Sequence, residues 1–157
     1  MTLYLRDDLA AIWPEAEAFA RARTQDGEVF RAREGRRTLR FAANGKSYFL
    51  KYHAGIGWRE ILKNLLQGKL PVTSAMNEVR AIEAVTAAGI ATMTLAGYGE
   101  RGNNPARIES FVVTDDLVDT LSLEELVILW QTQPPAAAFR RALVGALAET
   151  AGAMHGA

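Results

Sequence analysis

Between Val29 and His53 apolar and polar residues alternate at the two-residue period of half-buried strands. Val29 to Arg33 and Thr38 to Ala42 predict two strands, the second with Leu39 and Phe41 on one face and Thr38, Arg40 and Ala42 on the other. Asn44-Gly45 follows. Both central positions of the tightest hairpin turn need φ > 0, so this pair predicts a hairpin. Lys46 to His53 predicts a third antiparallel strand, with Phe49, Lys51 and His53 on one face and Tyr48, Leu50 and Tyr52 on the other. Ahead of the strands, Trp13-Pro14 opens a helix to about Arg23, since Pro suits a first helical turn and Glu15 and Glu17 suit its positive end.

After Gly55 and Gly57 the spacing changes to the helical period. A helix is expected from about Trp58 to Gln67 with the stripe Ile61, Leu62, Leu65 and Leu66, stopped by Gly68 with Pro71 behind it. Ser74 suits the N-cap of the next helix and Gly89 its C-cap. Its apolar stripe is Ala75, Val79, Ile82 and Val85, which leaves Glu78 at the edge of the buried face. Two more strands are expected near Met93–Gly99 and Arg107–Thr114, joined by Gly102-Asn-Asn-Pro105. Ser122-Leu-Glu-Glu125 is a capping box for a helix ending near Gln131. Pro134-Pro135 precedes a last helix with Phe139, Leu143, Leu147, Thr150 and Met154 on one side. The fold class is therefore α+β, with a five-stranded antiparallel sheet and a helix inserted between strands three and four.

Composition narrows the function. The 157 residues are 49% hydrophobic and 23% charged, within the range of a globular domain. No apolar run reaches the roughly 20 residues that span a bilayer, and the first residues lack a basic stretch before an apolar one, so the cytoplasm is the expected compartment. Without cysteine there are no disulfides or thiolate metal sites, and two histidines far apart argue for no zinc site. The net charge of zero is unevenly spread. Residues 1–80 carry 14 Lys or Arg against 9 Asp or Glu, and residues 81–157 carry 4 against 9. A basic front half suits an anionic ligand or surface; no nucleic-acid-binding signature accompanies it, so no nucleic-acid partner is expected.

The candidate chemistry lies on that front half. A strand lysine, Lys51, and a helix glutamate, Glu78, suit a pair that holds nucleotide phosphates, an ammonium reaching the oxygens while a carboxylate orients it. The plain alternatives are an edge-strand lysine that deters aggregation and a glutamate favoured by a helix N-terminus. The turn Arg33-Glu-Gly-Arg-Arg37 has one glycine, Gly35, so Arg36 or Arg37 is as well placed to fork a phosphate as the backbone is to cradle it, and a solvated basic hairpin tip suits it equally. Val112-Val-Thr-Asp-Asp-Leu117 suits an adenine slot at Thr114, Asp115 and Leu117, or an ordinary strand end. Trp58 to Leu66 suits a core helix, or one resting on an anionic leaflet with Arg59 and Lys63 toward head groups. Tyr52, His53 and His155 carry no functional signal at this level.

Arg36-Arg-Thr-Leu-Arg-Phe41 and Gly45-Lys-Ser-Tyr-Phe-Leu-Lys51 resemble the bacterial lipopolysaccharide core heptose(I) kinases, a branch of the protein-kinase-like fold. Ile61-Leu-Lys-Asn-Leu-Leu66 before Pro71-Val72, Leu121-Ser-Leu-Glu-Glu125 and the Pro134-Pro135 step extend the likeness from about Leu9 to His155. The resemblance implies an ATP- and magnesium-dependent sugar kinase that phosphorylates O-4 of the first inner-core heptose. Lys51 and Glu78 would be its phosphate-clamping pair; Gly35, Arg36, Arg37, Thr114, Asp115 and Leu117 would line its nucleotide. It implies a small lobe over residues 1–114, a hinge over 115–121 and the start of the large lobe over 122–157. The catalytic base and the metal ligands would follow the Met154 to Ala157 tail, so these residues alone are expected to be inactive. A kinase for another core sugar, such as 3-deoxy-octulosonic acid, and a non-catalytic docking module are the alternatives. The family likeness also implies peripheral contact with the inner membrane and acyl carrier protein as a partner. The apolar side of the last helix implies self-association or capture of a partner.

Overall fold

The computed structural model describes residues 1–33, 35–68 and 73–156. Glu34, the Pro71-Val72 pair and the terminal Ala157 lie outside the described residues. The chain forms two compact units, one of Met1–Glu83 with Met93–Asp116 and one of Ala84–Thr92 with the residues from Leu117 onward.

The first unit is built on six antiparallel strands. These are β1 (Thr2–Leu5), β2 (Glu28–Arg33), β3 (Arg36–Ala43), β4 (Lys46–His53), β5 (Leu95–Arg101) and β6 (Glu109–Asp115), in the spatial order β1-β5-β6-β4-β3-β2. Asn44 at φ 49° and Gly45 at φ 75° make the β3–β4 turn, and Ala43 pairs with Lys46. Sequence periodicity led to five strands; the sixth, β1, runs along β5 from Thr2 opposite Glu100 to Leu5 opposite Gly97. Four residues at a sheet edge are too few for alternation to stand out, yet Leu3 and Leu5 pack on the core and Tyr4 meets Tyr98 at 5.3 Å.

One sheet face is the core. Leu39, Phe41, Tyr48, Leu50, Phe111 and Val113 close it against Leu9, Trp13 and Phe19. Leu9 belongs to α1 (Asp7–Ala10) and Phe19 to α2 (Ala18–Thr24). The expected helix from Trp13 is instead a 3₁₀ turn, Glu15–Glu17, running into α2. Trp13 stays outside it because its ring is core: 2% exposed, stacked on Phe41 at 5.6 Å and edge-on to Phe111 at 5.8 Å. A smaller cluster of Ala75, Val79 and Val112 sits on the opposite face and anchors the start of α4 (Met76–Ala87). The helix α3 (Gly57–Leu66) contacts the 3₁₀ turn Pro105–Arg107 and buries only Ile61 of its stripe; Leu62, Leu65 and Leu66 are exposed, so the core reading of that stripe fails.

The second unit holds α5 (Leu123–Thr132) and α6 (Ala137–Gly156). Ser122 and Glu125 form both bonds of the capping box, 3.2 Å from the Glu125 N–H to the Ser122 hydroxyl and 2.8 Å from the Ser122 N–H to the Glu125 carboxylate. Trp130 and Phe139 meet edge to face at 6.4 Å. No described side chain of α6 is buried, and Phe139, Val144, Leu147 and Met154 lie open.

Candidate functional site

β4 lies between β3 and β6, and its pleat sends alternate side chains to opposite faces. Tyr48, Leu50 and Tyr52 enter the core; Phe49, Lys51 and His53 take the other face. Lys51 stands opposite Thr38 on β3 and Val112 on β6. Val112 in turn carries Ala75 and Val79 from the start of α4. That start is fixed twice, by the Ala75 N–H donating to the buried Ser110 hydroxyl at 3.0 Å and by the Met76 N–H donating to the Ser74 hydroxyl at 3.0 Å. With Val79 turned into the cluster, its neighbour Glu78 reaches the lysine. The Lys51 Nζ donates to Glu78 Oε1 at 2.5 Å, with the side chains 37% and 27% exposed. The pair joins residues 27 apart in sequence and is only partly buried.

The β2–β3 turn is tied down beside them. Gly35, at φ 75°, accepts a 2.7 Å bond from the Ala54 N–H, and a Cβ on it would meet the Gly55 carbonyl at 2.8 Å. Arg36 pairs with His53 across the β3–β4 ladder, on the Lys51 face. Arg37 alternates to the other face and donates to the Ala22 and Arg23 carbonyls at 3.3 and 2.8 Å. It satisfies the C-terminal end of α2 rather than joining Lys51, so of the two arginines expected as alternative phosphate forks, Arg36 or Arg37, only Arg36 lies on the Lys51 face. His53, which carried no signal in the sequence, stands two positions from Lys51 with its Nδ1 buried and no hydrogen-bond partner among the described residues. Burial, with the Arg36 guanidinium nearby, pushes its imidazole down to about 4.

Further along the same face is an aromatic shelf that the sequence reading did not single out. Phe30 and Phe49 lie 5.3 Å apart and Arg40 covers the Phe30 ring at 5.8 Å. Alternation alone puts Phe49 beside Lys51, but Phe30 joins it through the irregular register between Val29 and Arg31. At the end of β6, Thr114 is buried, and the Asp115 N–H donates to the Thr94 carbonyl at 2.9 Å. The Asp115 carboxylate takes two bonds from Arg6, at 2.6 and 2.9 Å. Arg6 also grips Asp8, whose carboxyl is held well below its usual range by Arg6 and then Lys46. Leu117, expected beside Asp115, belongs to the second unit and is exposed. Among the described residues no group of three or more His, Asp or Glu side chains is placed to hold a metal ion.

An antiparallel sheet with a strand lysine paired to a glutamate on the helix that follows is the small lobe of the protein-kinase-like fold. The chain belongs to the lipopolysaccharide kinase (Kdo/WaaP) family, whose model matches residues 20–157. It is 46% identical over 155 residues to the lipopolysaccharide core heptose(I) kinase WaaP of Pseudomonas aeruginosa, covering 99% of this chain and 58% of that protein. The protein of the same description from Escherichia coli is 44% identical over 151 residues, covering 96% and 57%. Among solved structures, WaaP in complex with acyl carrier protein superposes with a TM-score of 0.77 at 37% identity, over 99% of this chain and 57% of that one. The chain thus spans a little over half the length of the relatives it matches.

Proposed function

We propose that this chain is the ATP-binding portion of a kinase that phosphorylates O-4 of the first heptose of the lipopolysaccharide inner core. The closed Lys51–Glu78 pair carries the reading. Bound ATP supplies the phosphoryl group to be transferred. The chain's own residues hold it: Lys51 draws the α- and β-phosphate oxygens, Glu78 keeps the ammonium from swinging away, and Arg36 adds a second cation near Gly35. Phe49 and Phe30 would offer the base an apolar surface, and the backbone at Asp115 would lie at its edge. The residues fit a nucleotide, because the lysine is already oriented by Glu78 and its side chain is only partly buried. They do not fit magnesium in the same way. Glu78, the carboxylate beside Lys51, is already paired to it, and among the described residues no three carboxylate or imidazole groups converge on a metal site. The general base and metal ligands are assigned to other parts of the enzyme, so residues 1–157 alone are expected to transfer no phosphate.

The acceptor follows from the relatives' described activity, and acyl carrier protein as a partner from the solved complex of a relative. The proposed setting is the cytoplasm, at the periphery of the inner membrane where such an acceptor is held; among the described residues no helix is long and apolar enough to cross a membrane. The test is heptose phosphorylation by the full-length enzyme at saturating ATP, with circular dichroism as the folding control. Lys51→Ala is expected to fold and to lose about 10²–10³ in turnover, or roughly 3–4 kcal/mol of transition-state stabilisation. Lys51→Arg should be nearly as damaging and Glu78→Ala less so. Near-normal turnover of folded Lys51→Ala would reduce the lysine to a sheet residue and remove the basis of the proposal.

A further inference from the structure

The helix α3 presents its apolar arc to solvent rather than to the core. At 3.6 residues per turn, Trp58, Ile61, Leu62, Leu65 and Leu66 occupy roughly 140° of its circumference. Ile61 alone is buried; Trp58, Leu62, Leu65 and Leu66 are 55%, 56%, 52% and 88% exposed. An amphipathic helix in a domain of this kind normally turns that arc inward. This one is held to the unit at Ile61 and the 3₁₀ turn Pro105–Arg107, so most of the arc stays outside.

The polar flank supplies the second observation. Arg59 and Lys63 border the arc beside Leu66, and both are exposed. Arg59 makes no ion pair among the described residues, and Lys63 only approaches Glu60 of its own helix at 3.3 Å. Solvent-facing leucines and a tryptophan edged by cations match a surface that is apolar just beneath a negatively charged layer. We propose that α3 docks flat on an anionic lipid bilayer, with Trp58, Leu62, Leu65 and Leu66 among the upper acyl chains and Arg59 and Lys63 at the lipid phosphates. The inference deepens the proposed function, since its acceptor is a membrane glycolipid, and it names the element that brings the enzyme to that substrate.

Vesicle co-sedimentation of this chain, without nucleotide or acceptor, tests the surface. Phosphatidylcholine vesicles with a one-third share of phosphatidylglycerol should bind it at least about tenfold more tightly than phosphatidylcholine alone, with the difference shrinking as salt is raised. Leu62→Glu with Leu66→Glu, both at exposed positions, should keep the circular dichroism spectrum and lose vesicle binding by about a hundredfold. In a Trp130→Phe background, Trp58 emission should shift to the blue on the anionic vesicles and not on the neutral ones. In the full-length enzyme the double variant should keep its turnover on water-soluble core oligosaccharide and lose it on vesicle-embedded acceptor. Equal binding by the double variant, indifference to lipid charge, or loss of a self-associated form with vesicle binding unchanged would each overturn the proposal. Absence of turnover on the soluble acceptor by the unsubstituted enzyme would instead defeat the functional reading, and vesicle binding would still judge the surface by itself.

Discussion

Lowering the pH from about 7 to about 5 should weaken the fold through one residue, His53. The groups that face it are Arg36 from β3, Lys51 from its own strand and Glu78 from α4. Burial is the main cause of its depression from 6.5 to about 4, and the cations outweigh the carboxylate. The folded chain therefore keeps this imidazole neutral while the unfolded chain protonates it. Its contribution is fully present above pH 6.5 and is lost as the pH falls toward 4. At pH 5 the difference in proton binding amounts to about 2 kcal/mol, and to about 1 kcal/mol once partial contact with water is allowed for. The stabilised carboxylates Asp8 and Glu109 lose their contributions only below their ordinary values, 3.8 and 4.5, so the window between pH 6.5 and 4.5 isolates the histidine. Urea unfolding at both pH values, for the natural chain and for His53→Gln, measures it. The natural chain should lose stability between them and the variant should lose little. An unchanged urea midpoint in the natural chain, or an equal loss in His53→Gln, would refute the assignment.

Other perturbations read other parts of the structure. Glu109, 12% exposed at its side chain, accepts bonds of 2.6 Å from each of Tyr52, Arg23 and Arg101, so Glu109→Ala should cost about 1–3 kcal/mol by thermal unfolding, the two arginines being half in water. Gly27→Ala should cost about 1–3 kcal/mol, because the added Cβ would stand 2.2 Å from the Arg40 carbonyl oxygen, and backbone has to move. Phe111→Ala should cost about 3–5 kcal/mol, since a fully buried ring contacting Trp13 and Phe19 leaves a cavity. Light scattering of this chain at micromolar concentration should show self-association through the open Phe139, Leu147 and Met154 face of α6, relieved by Phe139→Glu with Leu147→Glu; a clean monomer would remove that expectation.

What was legible in the sequence was local. Asn44-Gly45 set the hairpin, alternation set the faces of β3 and β4, and Ser122 with Glu125 set the start of α5, because each signal is complete within a few residues. Lys51 and Glu78 were visible as types, and their meeting depended on Val112, Ala75 and Ser110, which align only after the sheet forms. What stayed hidden was long-range. β1 needs β5 as its partner, Arg6 finds Asp115 across 109 positions, and Arg37 finds the end of α2. The outward turn of α3 was hidden for the same reason, since its stripe reads identically whether it faces protein or solvent. His53 illustrates the limit most plainly. Nothing in its neighbours along the chain distinguishes it, and its depressed titration comes from burial and from a cation on another strand.

The two-residue period of β4 also separates stability from chemistry. Even-numbered Tyr48, Leu50 and Tyr52 are at most 6% exposed and belong to the core with Trp13, Phe19 and Phe111. Odd-numbered Phe49, Lys51 and His53 share the face of Glu78 and Arg36. A half-exposed ion pair adds little to the fold, so its closure costs the core nothing that hydrophobic burial has not already supplied. The converse holds as well. Because the core face, Ser110 and Val112 fix β4, β6 and the start of α4 without help from the pair, the lysine of the proposed site would be oriented before any nucleotide arrives. Binding energy then need not be spent on ordering it, which is the condition under which a fixed charge assists a transition state more than a ground state.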